Sequence, residues 1–318
     1  MDKIAVLTSG GDAPGMNAAI RAVVRAGLYS GFQVFGVLHG LQGLIQGNWV
    51  DMKLGSVADI IHRGGTILKT SRSSEFMEIE GRITAYHNLQ RKKIDNLVII
   101  GGNGSLTGGW EISKLGINVI GIPATIDNDI AETVSIGFDT AVNTILEAIN
   151  RIRDTASSHG RVFIIEVMGR HCGEIALSAG VAGGAESILI PEINNNLREV
   201  VNKIEQGVQR GKLYSIILVA EGAGPAYEIK EFLAEQTGME VKVIILGHIQ
   251  RGGTPSAADR ILASVMGKAA VDNINEGRKN VMIAGGGYNV EAVSLEQTLK
   301  KSKQVRNDLI SLAHVLAT

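Results

Sequence analysis

The sequence predicts an α/β protein made of two doubly wound domains, each with a mostly parallel sheet and with a cleft between them. Three observations lead there. Short apolar runs recur along the chain, and they lack the alternation of a half-exposed strand. Amphipathic helical stretches separate them. Glycine-rich turns directly follow several of the runs.

Taken in order, "KIAVLT" at 3–8 reads as a first strand. It runs into "SGGDAPGMN", where Gly10 and Gly11 form a turn and Pro14 or Asn17 lies near the opening of a helix. "QVFGVL" at 33–38 is a second strand, and "NLVII" at 96–100 a third that enters "GGNGS". "NVIGI" at 118–122 leads into "PATIDNDI". Residues 139–153 set Val142, Ile145, Leu146, Ile149 and Ile152 on one helical face. A second strand series follows: "RVFIIEV" at 161–167, "SILI" at 187–190, "YSIILVA" at 214–220 and "VKVIIL" at 241–246. A helix over 255–276 begins at Pro255 and ends before Gly277. The separate strand series in the second half places a domain boundary near residue 138.

Composition narrows the function. The chain has 318 residues, enough for one large or two ordinary domains, with 45% hydrophobic and 20% charged residues. A net charge of −1 argues against a general nucleic-acid or acidic-membrane surface, so any anion site must be local. The single cysteine, Cys172, makes no internal disulfide, and no Cys/His cluster suggests zinc. The opening apolar run is too short for a signal peptide, and no segment is long enough to span a bilayer, so a cytoplasmic location is expected.

Chemistry is concentrated in the loops. The "SGGDAPG" turn matches neither a Walker A sequence nor GxGxxG, and alone it is as compatible with a structural role as with ligand binding. A second strand-to-helix glycine turn, "GGNGS", makes phosphate handling the better reading. In "IPATIDNDI", Asp127 and Asp129 flank Asn128, where two carboxylates with Thr125 suit a metal and a hydroxyl proton. An Asx-rich turn is the plain structural alternative. Arg72, Arg161, Arg170 and Arg251, with His248 near the last, are the basic groups of interest. Arg170 in "VMGRHCG" and Arg251 in "GHIQRGG" stand among glycines at strand ends, which suits guanidinium forks for a sugar phosphate.

The motifs "LTSGGDAPGMNAAIRAVVR", "GGNGS", "PATIDNDI", "IRDTASSHGR", "EVMGRHCG" and "GHIQRGGTPSAADRILAS" occur in order over nearly the whole chain. Together they closely resemble the bacterial ATP-dependent 6-phosphofructokinases, whose usual forms are GGDGS and PGTIDND. The resemblance implies transfer of the γ-phosphoryl group of ATP, as its Mg²⁺ complex, to the C1 hydroxyl of fructose 6-phosphate in glycolysis. It implies an ATP-binding domain of residues 1–138 plus about 252–303 and a fructose 6-phosphate domain of 139–251 plus about 304–318. Asp127 matches the base, Thr125 contacts the reacting phosphoryl region, and Arg170 stabilises transition-state charge. Gly11, Arg72, Ser73, Gly102, Asn103, Gly104, Ser105 and Gly108 fall on the nucleotide side, with Asn103 and Asp129 at the metal. Arg161, Met168, Gly169, Arg170, Glu221, Lys242, His248 and Arg251, with Thr125 and Asp127, fall on the sugar-phosphate positions. The family's equivalents of Arg161 and Lys242 reach in from a neighbouring subunit, which implies a homotetramer with shared active sites.

Departures from the pattern are local. Asn103 replaces an aspartate, Ala124 a glycine, Leu41 a tyrosine that packs on adenine, and Lys242 an arginine. Pyrophosphate-dependent relatives carry an aspartate and a lysine where this chain has Gly104 and Ala124, so ATP is the expected donor. Arg21, Arg25, Asp59, Arg153, Glu186 and Lys212 match effector positions for ADP or phosphoenolpyruvate, whereas Leu54, Leu213 and Tyr214 stand where basic residues are common. The alternatives to an active kinase are a catalytically weak paralogue that binds sugar phosphate or nucleotide and regulates a partner, and a kinase for another donor or sugar phosphate.

Overall fold

All eight apolar runs form strands, and each is followed by a helix. In the computed structural model, which describes residues 2–317, the order begins β1 (Lys3–Ser9), α1 (Met16–Tyr29), β2 (Gln33–Val37), α2 (Gly40–Gln46), β3 (Trp49–Met52), α3 (Ile79–Lys92), β4 (Asn96–Gly101), α4 (Asn103–Ser113), β5 (Asn118–Pro123) and α5 (Phe138–His159). It continues β6 (Val162–Val167), α6 (Glu174–Gly183), β7 (Ser187–Leu189), α7 (Leu197–Gln209), β8 (Ser215–Ala220), α8 (Ala226–Thr237), β9 (Val241–Ile245) and α9 (Ala257–Asn275). The last elements are β10 (Val281–Gly286), β11 (Asn289–Ser294), α10 (Leu295–Leu299) and α11 (Asn307–Leu316).

Two units are distinguished: one runs through Thr140 and includes Arg251–Lys303, the other is Ala141–Gln250 and the residues from Gln304 onward. The first unit holds a seven-stranded sheet in the order β11-β10-β5-β4-β1-β2-β3. Its five inner strands are parallel, while β3 and β11 pair antiparallel at the two edges. The second unit holds a four-stranded, all-parallel sheet in the order β7-β8-β6-β9. Parallel strands covered on both faces read as continuous apolar runs, and Ile4 to Leu7 and Leu97 to Ile100 are fully buried accordingly. On the first unit α1 packs on α9, where Gly267 lets the backbones approach: a Cβ there would meet the carbonyl of Ala19 at 2.9 Å.

The structure adds three strands that the pattern did not announce and corrects two readings. β3 and β11 are half-polar edge strands, and β10 ends in two glycines, so none presents a long apolar run. β9 is not buried on both faces: it is an edge strand with Lys242 and Ile245 exposed. The helix expected from Pro255 begins at Ala257, because Oγ of Ser256 caps it by accepting from the N–H of Asp259 at 3.2 Å. Among the described residues, no helix is long and apolar enough to cross a membrane.

Candidate active site

β1, β4 and β5 are neighbours, and Ser9, Gly101 and Pro123 stand in register at their carboxyl ends. The chain passes from β1 through α1 to β2 on one side, while β4 lies on the other. That change of direction opens a crevice at the strand ends, where doubly wound sheets bind ligands. Three loops meet there. Gly10 has φ of 87°, and a Cβ on it would come within 3.1 Å of Oγ of Ser105. Gly102 precedes the first turn of α4, and a Cβ on it would lie 3.5 Å from Cβ of Thr125. A Cβ on Gly104 would meet open space, and the unpaired N–H groups that open a helix are suited to an anion.

The third loop carries the carboxylates. Asp127 is 6% exposed, and its N–H donates to Oγ1 of Thr125 at 3.2 Å. Asn128 adopts the left-handed conformation at φ 52°, which its short amide tolerates while Oδ1 accepts from the N–H of Ser135 at 2.9 Å. That bond crosses the loop and fixes the backbone between Asp127 and Asp129. Nδ2 of Asn103 donates to Oδ2 of Asp129 at 2.9 Å, while Oδ1 of Asp129 is buried without a hydrogen-bond partner. An orphaned, ionisable oxygen beside an amide carbonyl fits a hard cation such as Mg²⁺, which uses one or two carboxylates plus waters and substrate phosphates. Among the described residues no cluster of three acidic, histidine or cysteine side chains can hold a metal alone.

On the nucleotide side, Arg72 is exposed, and Ser73 bonds Oε1 of Gln42 at 2.5 Å and accepts from the N–H of Phe76. Leu41 is 7% exposed and packs where a Cβ on Gly108 would approach its Cδ1 to 2.9 Å. Arg251 belongs to this unit as well. Its guanidinium lies over Gly11, in the space that a Cβ would fill.

In the second unit, Arg170 has φ of 51°, and its N–H donates to Oε1 of Glu221 at 2.8 Å. Met168 and Gly169 precede it, and the fully buried Gln250 accepts from the N–H of Met168 at 3.2 Å. His248 is exposed in the 3-10 turn Gly247–Arg251. Arg161 and Lys242 meet through Glu240, at 2.5 and 2.7 Å. Hydrogen bonds, first from Lys242 and then from Arg161, together with the two charges, hold the Glu240 carboxyl below its ordinary range.

The effector-matching residues are spread over both units. Arg21 and Arg25 lie one turn apart on α1, and Asp59 faces His62 at 3.8 Å. Glu186 pairs with Lys212 and accepts from the N–H of Ile216, and Arg153 donates to the carbonyl of Gly183 at the end of α6.

Asn128 was read only within the Asx-rich turn, which its bond to Ser135 supports, and sequence reasoning missed Glu240, Gln250 and Asp259. The last is a buried carboxylate in the first turn of α9 that accepts hydrogen bonds from Gly137 and Thr140. An acidic residue three places after a capping serine was the signal available, and it reads first as ordinary helix capping.

Residues 3–274 match the family model "Phosphofructokinase". The full chain is 52% identical to the ATP-dependent 6-phosphofructokinase of Natranaerobius thermophilus and 49% identical to that of Clostridioides difficile, covering all of each. The solved phosphofructokinase of Saccharomyces cerevisiae superimposes with a TM-score of 0.90 at 38% identity over this whole chain, which spans 48% of that one. A pyrophosphate-dependent phosphofructokinase from Marinobacter aquaeolei, at 23% identity and a TM-score of 0.85 over all of this chain and 92% of that one, shares the fold. Glycine turns at adjacent strand ends, the "TIDND" loop beside α4 and full-length identity near one half agree: the chain belongs to the phosphofructokinase family.

Proposed function

We propose that this protein transfers the γ-phosphoryl group of ATP to the C1 hydroxyl of fructose 6-phosphate, as a cytoplasmic enzyme of glycolysis. The observation that carries the reading is the adjacency of Asp127 and Asp129 on one loop, beside the N-terminus of α4. Phosphoryl transfer needs little covalent help from a protein; it needs positioning and charge neutralisation.

In the proposed mechanism Asp127 accepts the proton of the C1 hydroxyl as the oxygen attacks phosphorus. Thr125 contacts the reacting phosphoryl region, and the N–H groups of Gly11 and the first turn of α4 receive phosphate oxygens. Asp129, with the side-chain oxygen of Asn103, would hold Mg²⁺, which when bound neutralises charge on the terminal phosphates. Arg170 contributes positive charge in the transition state. The unit through Thr140 with Arg251–Lys303 takes ATP, and Arg72, Ser73 and Gly108 belong to its nucleotide side. Arg161, Met168, Gly169, Glu221, Lys242, His248 and Arg251 bind the sugar phosphate. A homotetramer with shared active sites, and control by ADP or phosphoenolpyruvate through Arg21, Arg25, Asp59, Arg153, Glu186 and Lys212, complete the proposal.

The test is formation of fructose 1,6-bisphosphate by the purified protein, titrated with magnesium. Turnover with ATP and none with pyrophosphate is expected. Absence of turnover at every magnesium concentration, with fructose 6-phosphate still bound, would make the protein a binding subunit instead.

A further inference from the structure

Asp259 is 1% exposed, in the first turn of α9, and its carboxylate is spent on another part of the chain. Oδ1 accepts from the N–H of Gly137 at 2.8 Å, and Oδ2 accepts from the N–H and the hydroxyl of Thr140 at 2.8 and 2.5 Å. The Thr140 hydroxyl oxygen in turn accepts from the N–H of Ser256 at 3.0 Å. Gly137 and Thr140 stand at the opening of α5, so Asp259 caps the N–H groups of a helix to which it does not belong.

The capped helix start is also the end of the loop that carries Asp127. From β5 the chain runs through Thr125, Asp127 and Asn128, and returns so that the N–H of Ile136 donates to the carbonyl of Pro123 at 3.0 Å. Gly137 follows at once, with φ of 100°. The loop is thus pinned at its neck by Ile136 and just beyond it by Asp259. A Cβ on Gly15 would strike Cγ2 of Ile136 at 2.6 Å and lie 3.6 Å from Cβ of Asp259, so the glycine turn after β1 packs on the same point.

We propose that Asp259 is a positioning residue for the phosphoryl-transfer reaction, acting through Gly137 and Thr140 to hold Asp127 in register with the phosphate-binding turns. The inference rests on the kinase reading for its kinetic consequence, not for its structural one. Burial pushes the carboxyl group's affinity for its proton up, against the donors that favour the charged form, as expected of a carboxylate kept at an unfavourable place for its contacts.

Three variants and two readouts decide it. Asp259→Asn puts an NH₂ where an acceptor is needed, Thr140→Val removes the hydroxyl bridge, and Thr140→Ser keeps it. Misplacement of a reacting group far from the mutation is worth on the order of a hundredfold, so Asp259→Asn and Thr140→Val should lower kcat by roughly tenfold to a hundredfold, measured per folded molecule well below the melting temperature. The loss should fall mainly on kcat, with smaller rises in the KM values, because the same loop also carries Thr125 and Asp127 among the sugar-phosphate positions. Thr140→Ser should restore kcat. Amide hydrogen exchange should quicken over 124–140 in the first two variants and not in β1 or β4. A folded Asp259→Asn protein with wild-type kcat and wild-type exchange over 124–140 overturns the assignment. If that variant does not fold, the same result in Thr140→Val overturns it. If the wild type itself shows no turnover, the kinase reading fails, and the exchange comparison still decides the role of Asp259.

Discussion

The side-chain amide of Asn103 donates to Oδ2 of Asp129 across 2.9 Å, at the point where α4 meets the carboxylate loop. An aspartate at 103 would instead set two negative charges there, a pair that a divalent ion relieves and an empty site does not. The amide stabilises the loop without the ion, and it gives up one charge toward it. At an effective dielectric of ~20 a unit charge a few Å from a divalent ion is worth several kcal/mol, less through water. Asn103→Asp should therefore lower the magnesium concentration for half-maximal turnover, by roughly tenfold if ~1.4 kcal/mol is recovered. The measurement is turnover against magnesium, with Mn²⁺ binding by electron spin resonance as a second readout. Identical curves for the two proteins would sink the account.

Asp127 is the proposed base, and general-base catalysis typically contributes a factor of roughly a hundred to ten thousand. Asp127→Ser should reduce kcat by about that range while fructose 6-phosphate still binds, read by calorimetry without ATP. Its backbone N–H to Thr125 survives the change, so the loop keeps its shape. Near-normal turnover would remove Asp127 from the mechanism.

The legible parts of this molecule were those where one short segment carries its own physics. Strands buried on both faces announce themselves as apolar runs, which is why β1, β4, β5, β6 and β8 were plain in the sequence and the mixed edge strands β3 and β11 were not. Loop carboxylates and glycine turns are equally local. What stayed hidden depends on contacts across long sequence separations. Glu240 gains meaning only where β6 and β9 pair and bring Arg161 beside it, and Asp259 only where α9 meets residues 119 and 122 places earlier in the chain. Neither pairing follows from composition or period.

Gly11 tests the contact over the first turn. A Cβ there falls on the Arg251 guanidinium, the far end of a flexible side chain, which can swing away. Stability should change by less than about 1 kcal/mol, as for most substitutions that spare the core. A displaced guanidinium loses charge-assisted hydrogen bonds worth about 1.5–3 kcal/mol, so Gly11→Ala should raise the KM for fructose 6-phosphate by about tenfold or more. Adding Arg251→Ala should then have little further effect on that constant, since coupled residues do not add. Full additivity of the two changes, each weakening the sugar phosphate separately, would show that Gly11 acts without Arg251.

Glu240 sets the charge available at Arg161 and Lys242. Its folded-state pKa lies below the unfolded value, so its contribution to stability is present above about pH 4.5 and is lost as pH falls through the lower folded value. At neutral pH it is ionised and engages both cations, which a phosphate must then share. Glu240→Gln releases them. Because the carboxylate is solvent-exposed, the gain is limited: the KM for fructose 6-phosphate should fall a few-fold at most, as the modest worth of exposed ion pairs implies. The difference between variant and wild type should shrink as salt is raised, since exposed charges are screened over about 8–10 Å at ordinary ionic strength. The melting temperature at neutral pH should barely move, and the acid limb of stability should flatten below about pH 4.5, where only the wild type loses an ionised partner. A rise in KM in Glu240→Gln would give the opposite result: Glu240 would then be orienting the two cations for phosphate instead of withholding them.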